Sequence, residues 1–156
     1  ARMASGTTLQ TKGDTYIRVS GSAVSTSATR VLGTNLEVPI TCSSTSNYLR
    51  ISCFIPDVSN NGTAGRALKV GFRYSTDSWS ASDVVLGDTE WLDVYGGYVT
   101  DSSYTERPEF IETWEQVPVA GSEIKIQLST QAITGTINIG ANAGCTYSLI
   151  ISEIKA

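Results

Sequence analysis

The stretch Tyr48-Leu49-Arg50-Ile51-Ser52-Cys53-Phe54-Ile55 puts Leu49, Ile51, Cys53 and Ile55 at every second position. Successive side chains on a strand point to opposite faces, so this spacing gives a strand with one core side and one wet side. The same reading extends outward. Ala67 to Tyr74 places Leu68, Val70, Phe72 and Tyr74 on one face and Lys69, Gly71 and Arg73 on the other. Ile124, Ile126 and Leu128 alternate with Lys125, Gln127 and Ser129. Shorter runs at Tyr16–Ser20, Leu36–Ile40, Val84–Leu86, Leu92–Tyr98, Glu112–Val119, Thr136–Ile139 and Thr146–Ile154 fit the same period. Turn formers separate them: Asn61-Gly62, Gly96-Gly97, Ala120-Gly121-Ser122 and Gly140-Ala141-Asn142-Ala143-Gly144. No segment carries an unbroken helical stripe, and no repeat recurs at solenoid or propeller spacing. Short strands with glycine-rich turns predict an all-β chain, a single antiparallel β-sandwich or jelly roll over 15–156. Residues 1–14, ARMASGTTLQTKGD, are polar and aperiodic and read as an extended N-terminal arm or linker.

The composition excludes several chemistries. The 156 residues include 20 Ser and 19 Thr but no His. Without histidine there is no Ser-His-Asp triad, no Cys-His pair and no His-bearing zinc site. The net charge of −4 argues against nucleic-acid binding, which needs a basic face. The charge is uneven: residues 1–75 carry net +5 and residues 76–156 net −9, an asymmetry suited to contact between complementary patches. Cys42, Cys53 and Cys145 match no zinc spacing and read as small buried hydrophobes. Ala1–Gly13 has no apolar core for a signal peptide, and the absence of an initial Met suggests a processed or excised piece. The uncharged run from Ile126 to Ser152 is broken by Gln127, Ser129, Gln131, Asn138 and Asn142, so no membrane insertion is expected.

The segment Leu36-Glu37-Val38-Pro39-Ile40-Thr41-Cys42-Ser43-Ser44-Thr45-Ser46-Asn47-Tyr48-Leu49-Arg50-Ile51 carries a resemblance. It is similar to a Ser/Thr-rich, alternating stretch in the C-terminal, receptor-binding tip domains of bacteriophage tail fibres. Cys42 stands where that family usually has proline. The ending Tyr147-Ser148-Leu149-Ile150-Ile151-Ser152-Glu153-Ile154-Lys155 resembles the close of such domains. The resemblance spans about residues 16–156. It implies a virion protein on an extracellular tail fibre, a homotrimer, and non-catalytic attachment to the host cell. Its ligand would be a surface polysaccharide or lipopolysaccharide first and an outer-membrane protein second. The alternatives are a structural virion protein (a head decoration or fibre-assembly module), a polysaccharide depolymerase, or a non-viral lectin-like jelly roll. Read from the residues alone, Pro39 suits a strand end or edge, and Thr41–Asn47 is a polar turn whose hydroxyls can bond to nearby backbone.

Two constellations could carry chemistry. Nine acids lie between Asp83 and Glu115, with Asp83, Asp88, Glu90 and Asp93 most crowded. Their spacing fits no recognised Ca²⁺ loop, so no metal, no cofactor and no catalytic residue is expected. The aromatics Trp79, Trp91, Tyr95, Tyr98, Tyr104, Phe110 and Trp114 form the second set. Aromatic faces stack on sugar rings, while carboxylates accept hydroxyl hydrogen bonds; rings with one polar end also suit interfaces. Trp91 and Trp114 read as core. Trp79, Tyr98, Asp101, Tyr104 and Glu106 fall in or beside polar loops and are the candidate ligand-binding residues. Arg50, Lys69 and Arg73 would form a basic sheet face if their strands are neighbours, with the acidic 83–115 stretch lying against it.

Overall fold

The computed structural model describes residues 6–17, 24–26, 31–59, 68–87, 93–95, 106–132, 137–139 and 146–156. Among these the chain forms strands and no helix: β1 (Thr8–Ile17), β2 (Val24–Thr26), β3 (Val31–Thr41), β4 (Tyr48–Ser59), β5 (Leu68–Ser75), β6 (Val84–Val85), β7 (Asp93–Tyr95), β8 (Glu106–Gln116), β9 (Glu123–Ala132), β10 (Ile137–Ile139) and β11 (Thr146–Ile154).

The pairings are antiparallel and nested. β1 and β2 pair with β11 and β10, β3 with β9, β4 with β8, and β5 with β6 and β7. The outermost partners are the first and last strands. Rolling this long ribbon brings β4 against β11 and β10, and β5 against β9. Two sheets result. The first runs β1-β11-β4-β8, with β2 and β10 prolonging the β1 and β11 positions. The second runs β3-β9-β5, with β6 and β7 along the far edge of β5. This is a two-sheet jelly roll, as the alternation predicts.

The core follows from the period of two. Leu49, Ile51, Cys53 and Ile55 are fully buried and share one cluster with Val38, Ile40, Val70, Phe72, Ile111, Ile124, Ile126, Leu149 and Ile151. Each large aliphatic side chain removed from water contributes about 1.5–3 kcal/mol. Cys42 and Cys53 are free, buried thiols, and burial pushes both up to about 12, with the Glu153 carboxylate adding to the effect at Cys42. They act as small hydrophobes rather than nucleophiles. Cys145 lies outside the described residues. Pro39 sits on β3, which pairs only with β9 among the described strands, so its missing N–H costs no ladder bond on the open side.

Two elements differ from the sequence reading. Thr8–Asp14 is not a linker but most of β1, laid along β11 from Thr8↔Ile154 to Ile17↔Thr146. An edge strand held by backbone bonds needs no apolar alternation, and Thr8, Leu9, Thr11, Lys12, Gly13 and Thr15 are exposed. β8 begins at Glu106 and ends at Gln116, rather than spanning Glu112–Val119. Its first residues are charged or proline, which hides the strand from a hydrophobicity reading, yet Glu106 and Arg107 pair with Ser59 and Val58.

One end of the sandwich is sewn together by a buried carboxylate. Glu153, near the end of β11, is only 1% exposed. Its Oε1 accepts from Ser43 N (2.8 Å), Ser43 Oγ (2.7 Å) and Asn47 Nδ2 (2.7 Å), and its Oε2 accepts from Gln10 Nε2 (2.7 Å). All these partners are neutral. The Thr41–Asn47 turn therefore wraps around a residue of the last strand, while Gln10 ties in the first. Burial pushes the Glu153 carboxyl up, but the hydrogen bonds from Asn47, Gln10 and Ser43 outweigh it and hold it at about 2. Around this node Gly121 N donates to Cys42 O (2.9 Å) and Lys155 N to Thr7 O (3.0 Å). Gly6 approaches the Lys155 carbonyl so closely that a Cβ would collide with it.

Glu153→Ala strands the Asn47 amide and the Ser43 donors and should cost about 3 kcal/mol, since each buried group left unpaired costs ~1–3 kcal/mol. Thermal denaturation should register this as a Tm lower by about 6–12 °C for a chain of this size. Because the folded-state carboxyl lies below its ordinary value, its contribution is whole above about pH 4.5 and is lost as pH falls toward about 2. The melting temperatures of wild type and Glu153→Gln should therefore converge over that window.

Candidate functional site

Trp79 stands in the loop between β5 and β6. Ser75 Oγ accepts from Trp79 N (2.7 Å) and Asp77 N (3.2 Å). The Asp77 carboxylate accepts from Ala81 N (2.9 Å), Ser82 N (2.9 Å) and Ser82 Oγ (2.6 Å). These bonds, with Ser82 foremost, draw the Asp77 carboxyl down to about 2 against the opposing effect of burial. They also hold Ser78 and Trp79 in the left-handed region, at φ of 57° and 68°. For a residue as bulky as tryptophan such backbone strain costs roughly 1–3 kcal/mol and needs a compensating contact.

That contact is Glu37 on β3. The loop folds back over the outer face of the second sheet, and the Trp79 indole N–H donates to Glu37 Oε2 (2.6 Å). The same carboxylate accepts from Gln127 Nε2 (2.8 Å) and meets Lys125 Nζ at 2.9 Å. Burial raises the Glu37 carboxyl, and the bonds from Lys125, Trp79 and Gln127 outweigh it, leaving it below the ordinary carboxylate range. Beneath this cover Arg73, Gln127 and Ser129 are buried although their parity points them outward. Arg73 Nη2 donates to Asp83 O (2.6 Å) and its Nε to the Asp83 carboxylate. Trp79 is thus half-buried, with its polar handle committed inside the fold.

Among the described residues, the one other candidate, Glu106, does not join it. Glu106 opens β8 opposite Ser59, and Tyr95 closes β7 opposite Leu68, both at the end of the sandwich away from Trp79. An eight-residue strand separates the two ends, roughly 25 Å. Tyr98, Asp101 and Tyr104 lie outside the described residues, as do Trp91, Asp88 and Glu90. The basic face also divides. Arg50 is on the first sheet, whereas Lys69 and Arg73 are on the second. The acidic stretch does supply counter-ions from within the chain: Asp83 for Arg73, and Glu112 for Arg50 at 2.7 Å. Arg50 draws the Glu112 carboxyl down, and Glu112 raises the guanidinium in turn.

Trp114 is not core. It is paired with Arg50 across β4 and β8, on the outer face of the first sheet, with the guanidinium carbon 6.0 Å from the ring centroid. Beside it a groove of about 470 Å³ runs between the edges of the two sheets, lined by Tyr48, Tyr74, Val85, Gly87 and residues 114–118. Its floor is partly backbone. β8 pairs only with β4 among the described strands. Val117 N donates to Asn47 O at 3.0 Å. Bonded and non-bonded pairs alternate in an antiparallel ladder, so the peptide groups of Trp114 and Gln116 point away from β4 toward the groove.

Side chains complete this groove. The Glu115 carboxylate accepts from Thr113 Oγ1 (2.8 Å), and the Gln116 amide is held by a bond from Nε2 to Thr45 O (3.0 Å). Gly87, at φ of 100°, allows the carboxylate its place, because a Cβ there would stand 2.3 Å from Glu115 Oε2. Tyr48 is exposed; farther along the same outer sheet face, beyond Arg50, Ser52 and Glu112, Phe54, Phe110 and Ile150 are exposed as well, Phe110 being 63% exposed. Sequence reasoning passed over Tyr48, Tyr74 and Gln116 and counted Glu115 only among the acids, because the four stand on three separate strands, β4, β5 and β8. The one available signal was Trp114 itself, flanked by polar residues in Glu112-Thr113-Trp114-Glu115-Gln116. Trp79→Phe keeps an aromatic ring, though a smaller one, and deletes the bond to Glu37, so it should lower stability by at least about 1.5–3 kcal/mol, the usual range for a hydrogen bond to a charged group. Thermal denaturation checks this, and an unchanged Tm would remove Trp79 from its structural role.

No family model matches the chain, and no curated protein sequence matches it. Among solved structures the chain is similar to the Eiger TNF of S. frugiperda, with 10% identity and a TM-score of 0.49 over 93% of each chain. It is also similar to dimeric latent PorU from Porphyromonas gingivalis, with 12% identity and a TM-score of 0.38 over 97% of this chain and 14% of that one. Both TM-scores lie below 0.5, and neither likeness assigns a function.

Proposed function

We propose that the chain is a non-catalytic tip domain of a bacteriophage tail fibre, attaching the virion to its host by binding surface glycan. The observation that carries the glycan reading is the groove at the β8 edge. Tyr48, Tyr74 and Trp114 bring aromatic rings to it, and Glu115, Gln116 and the outward peptide groups of β8 bring hydrogen-bonding partners for hydroxyls. Such a mixture of apolar surface with a few placed polar groups is what small-ligand clefts present. The tail-fibre reading rests on the resemblance carried by Leu36–Ile51 and by the Tyr147–Lys155 ending. In this chain the two stretches meet at Glu153, which accepts hydrogen bonds from Ser43 and Asn47.

The same reading includes a homotrimer on the fibre, outside the cell. Three copies would cover exposed apolar residues such as Phe54, Phe110 and Ile150 and present three identical sites, raising weak contacts by roughly 10²–10⁴ in avidity. The decisive experiment adds the purified protein to bacterial cells and competes it with purified surface polysaccharides and lipopolysaccharides. Binding that these glycans displace is expected, and Trp114→Ala should weaken it about tenfold or more, the equivalent of ~1.4 kcal/mol. Release of reducing sugar would make the protein a depolymerase, and failure to bind any cell or glycan would overturn attachment. Light scattering should give about three times the 16.6 kDa chain mass, and a monomer would refute the trimer.

A further inference from the structure

We infer that one internal water molecule is built into the outer face of the second sheet, where it bridges Gln127 and Ser129; this site is independent of the glycan reading. Among the described residues, Gln127 Oε1 and Ser129 Oγ are the buried side-chain atoms without a hydrogen-bond partner. Their residues are two apart on β9, so they share a face and their Cα atoms stand roughly 7 Å apart. Neither side chain reaches solvent, since Gln127 is 3% exposed and Ser129 0%. The Gln127 amide is also fixed in orientation. Its Nε2 donates to Glu37 Oε2 at 2.8 Å, so the other end is an oxygen that needs a donor. A buried polar atom left unanswered carries the full cost of leaving water, and ordered water is the usual answer.

The chemistry of the two atoms selects the occupant. An amide oxygen only accepts, whereas a serine hydroxyl donates or accepts. The guest must therefore donate to Gln127 and take either role toward Ser129, and water does both. A buried water needs about two to four polar partners, a condition the pair meets. Space beside Ser129 comes from Gly71, which lies opposite it on β5 and brings no side chain to that face. A cation is disfavoured. Gln127 stands directly opposite Arg73, which is buried on the same face, and Lys125 is two residues along β9. Two uncharged oxygens beside a guanidinium do not hold a second positive charge. The water thus joins Ser129 to the polar layer of Glu37, Gln127 and Arg73 over which the Trp79 loop closes.

The test is a crystal structure of the intact protein at a resolution that shows ordered waters, paired with thermal denaturation of Ser129→Ala, Gln127→Met and the double variant. A peak within hydrogen-bonding distance of both Gln127 Oε1 and Ser129 Oγ is expected. Ser129→Ala removes one anchor and should lower the Tm by about 2–4 °C. Gln127→Met also loses the bond to Glu37, so the comparison is the effect of Ser129→Ala in the two backgrounds. In the Gln127→Met background that effect should be less than half as large, because the bridge is already broken. Absence of the peak would overturn the inference. So would an unchanged or raised Tm for Ser129→Ala, since a hydroxyl that truly lacks a partner is better removed. Equal losses in both backgrounds would show that no molecule is shared and overturn the bridge. A rubidium soak that places anomalous signal at the peak would make the occupant a cation and overturn the inference as well.

Discussion

The structure depends on a negative charge kept out of water and held, among the described residues, by neutral donors. Glu153 is stabilised by four hydrogen bonds from neutral donors in two distant parts of the chain: Gln10 on the first strand, and Ser43 (twice) and Asn47 in the turn between β3 and β4. An isolated buried carboxylate would be prohibitive, so the donors have to be in place before the site is tolerable. This requirement fixes the Thr41–Asn47 turn against β11 and, through it, the order in which β3, β4 and β11 lie. Hydroxyl-rich turns are common, but here the hydroxyl and amide have a named acceptor, which explains why the turn is polar at a position next to the core.

The second sheet uses polar groups differently. Its outer face carries Glu37, Lys125, Gln127, Arg73 and Ser75, and the loop after β5 closes over them. The left-handed backbone at Ser78 and Trp79 is offset by the indole bond to Glu37 and by the Asp77 bonds within the loop. The first sheet has no such cover on the described part of its outer face. There Phe54, Phe110, Tyr48 and Ile150 stay exposed, and Arg50 lies over Trp114. The two faces of one sandwich are thus chemically unlike: one is sealed by its own loop and the other is presented.

Much of the fold was legible because a half-buried strand writes itself in period two. Leu49, Ile51, Cys53 and Ile55 on β4, and Ile124, Ile126 and Leu128 on β9, are buried as their spacing requires. What escaped were strands on which alternation carries no message. Thr8–Asp14 of β1 is held by backbone bonds at an edge, and Glu106–Glu109 of β8 is charged for the same reason. The site was less legible. Trp79 sat in a polar loop and suggested a ligand contact, but its N–H answers a carboxylate 42 positions earlier in the chain. Trp114 suggested core and faces outward instead. The groove beside it gathers Tyr48, Tyr74 and Gly87 from three separate segments, and local spacing cannot report a cleft made between two sheets.

The nested pairing bears on how the protein is made. β11, the last strand, does not finish an edge but occupies the position between β1 and β4. During synthesis, β1 and β4 have left the ribosome long before the strand that separates them exists, so the first sheet cannot close until β11 itself emerges. Contacts of such long sequence separation slow folding, and the unfilled gap exposes two strand edges while the chain waits. Protecting those edges in the interval is a demand that falls on the growing polypeptide rather than on the finished sandwich.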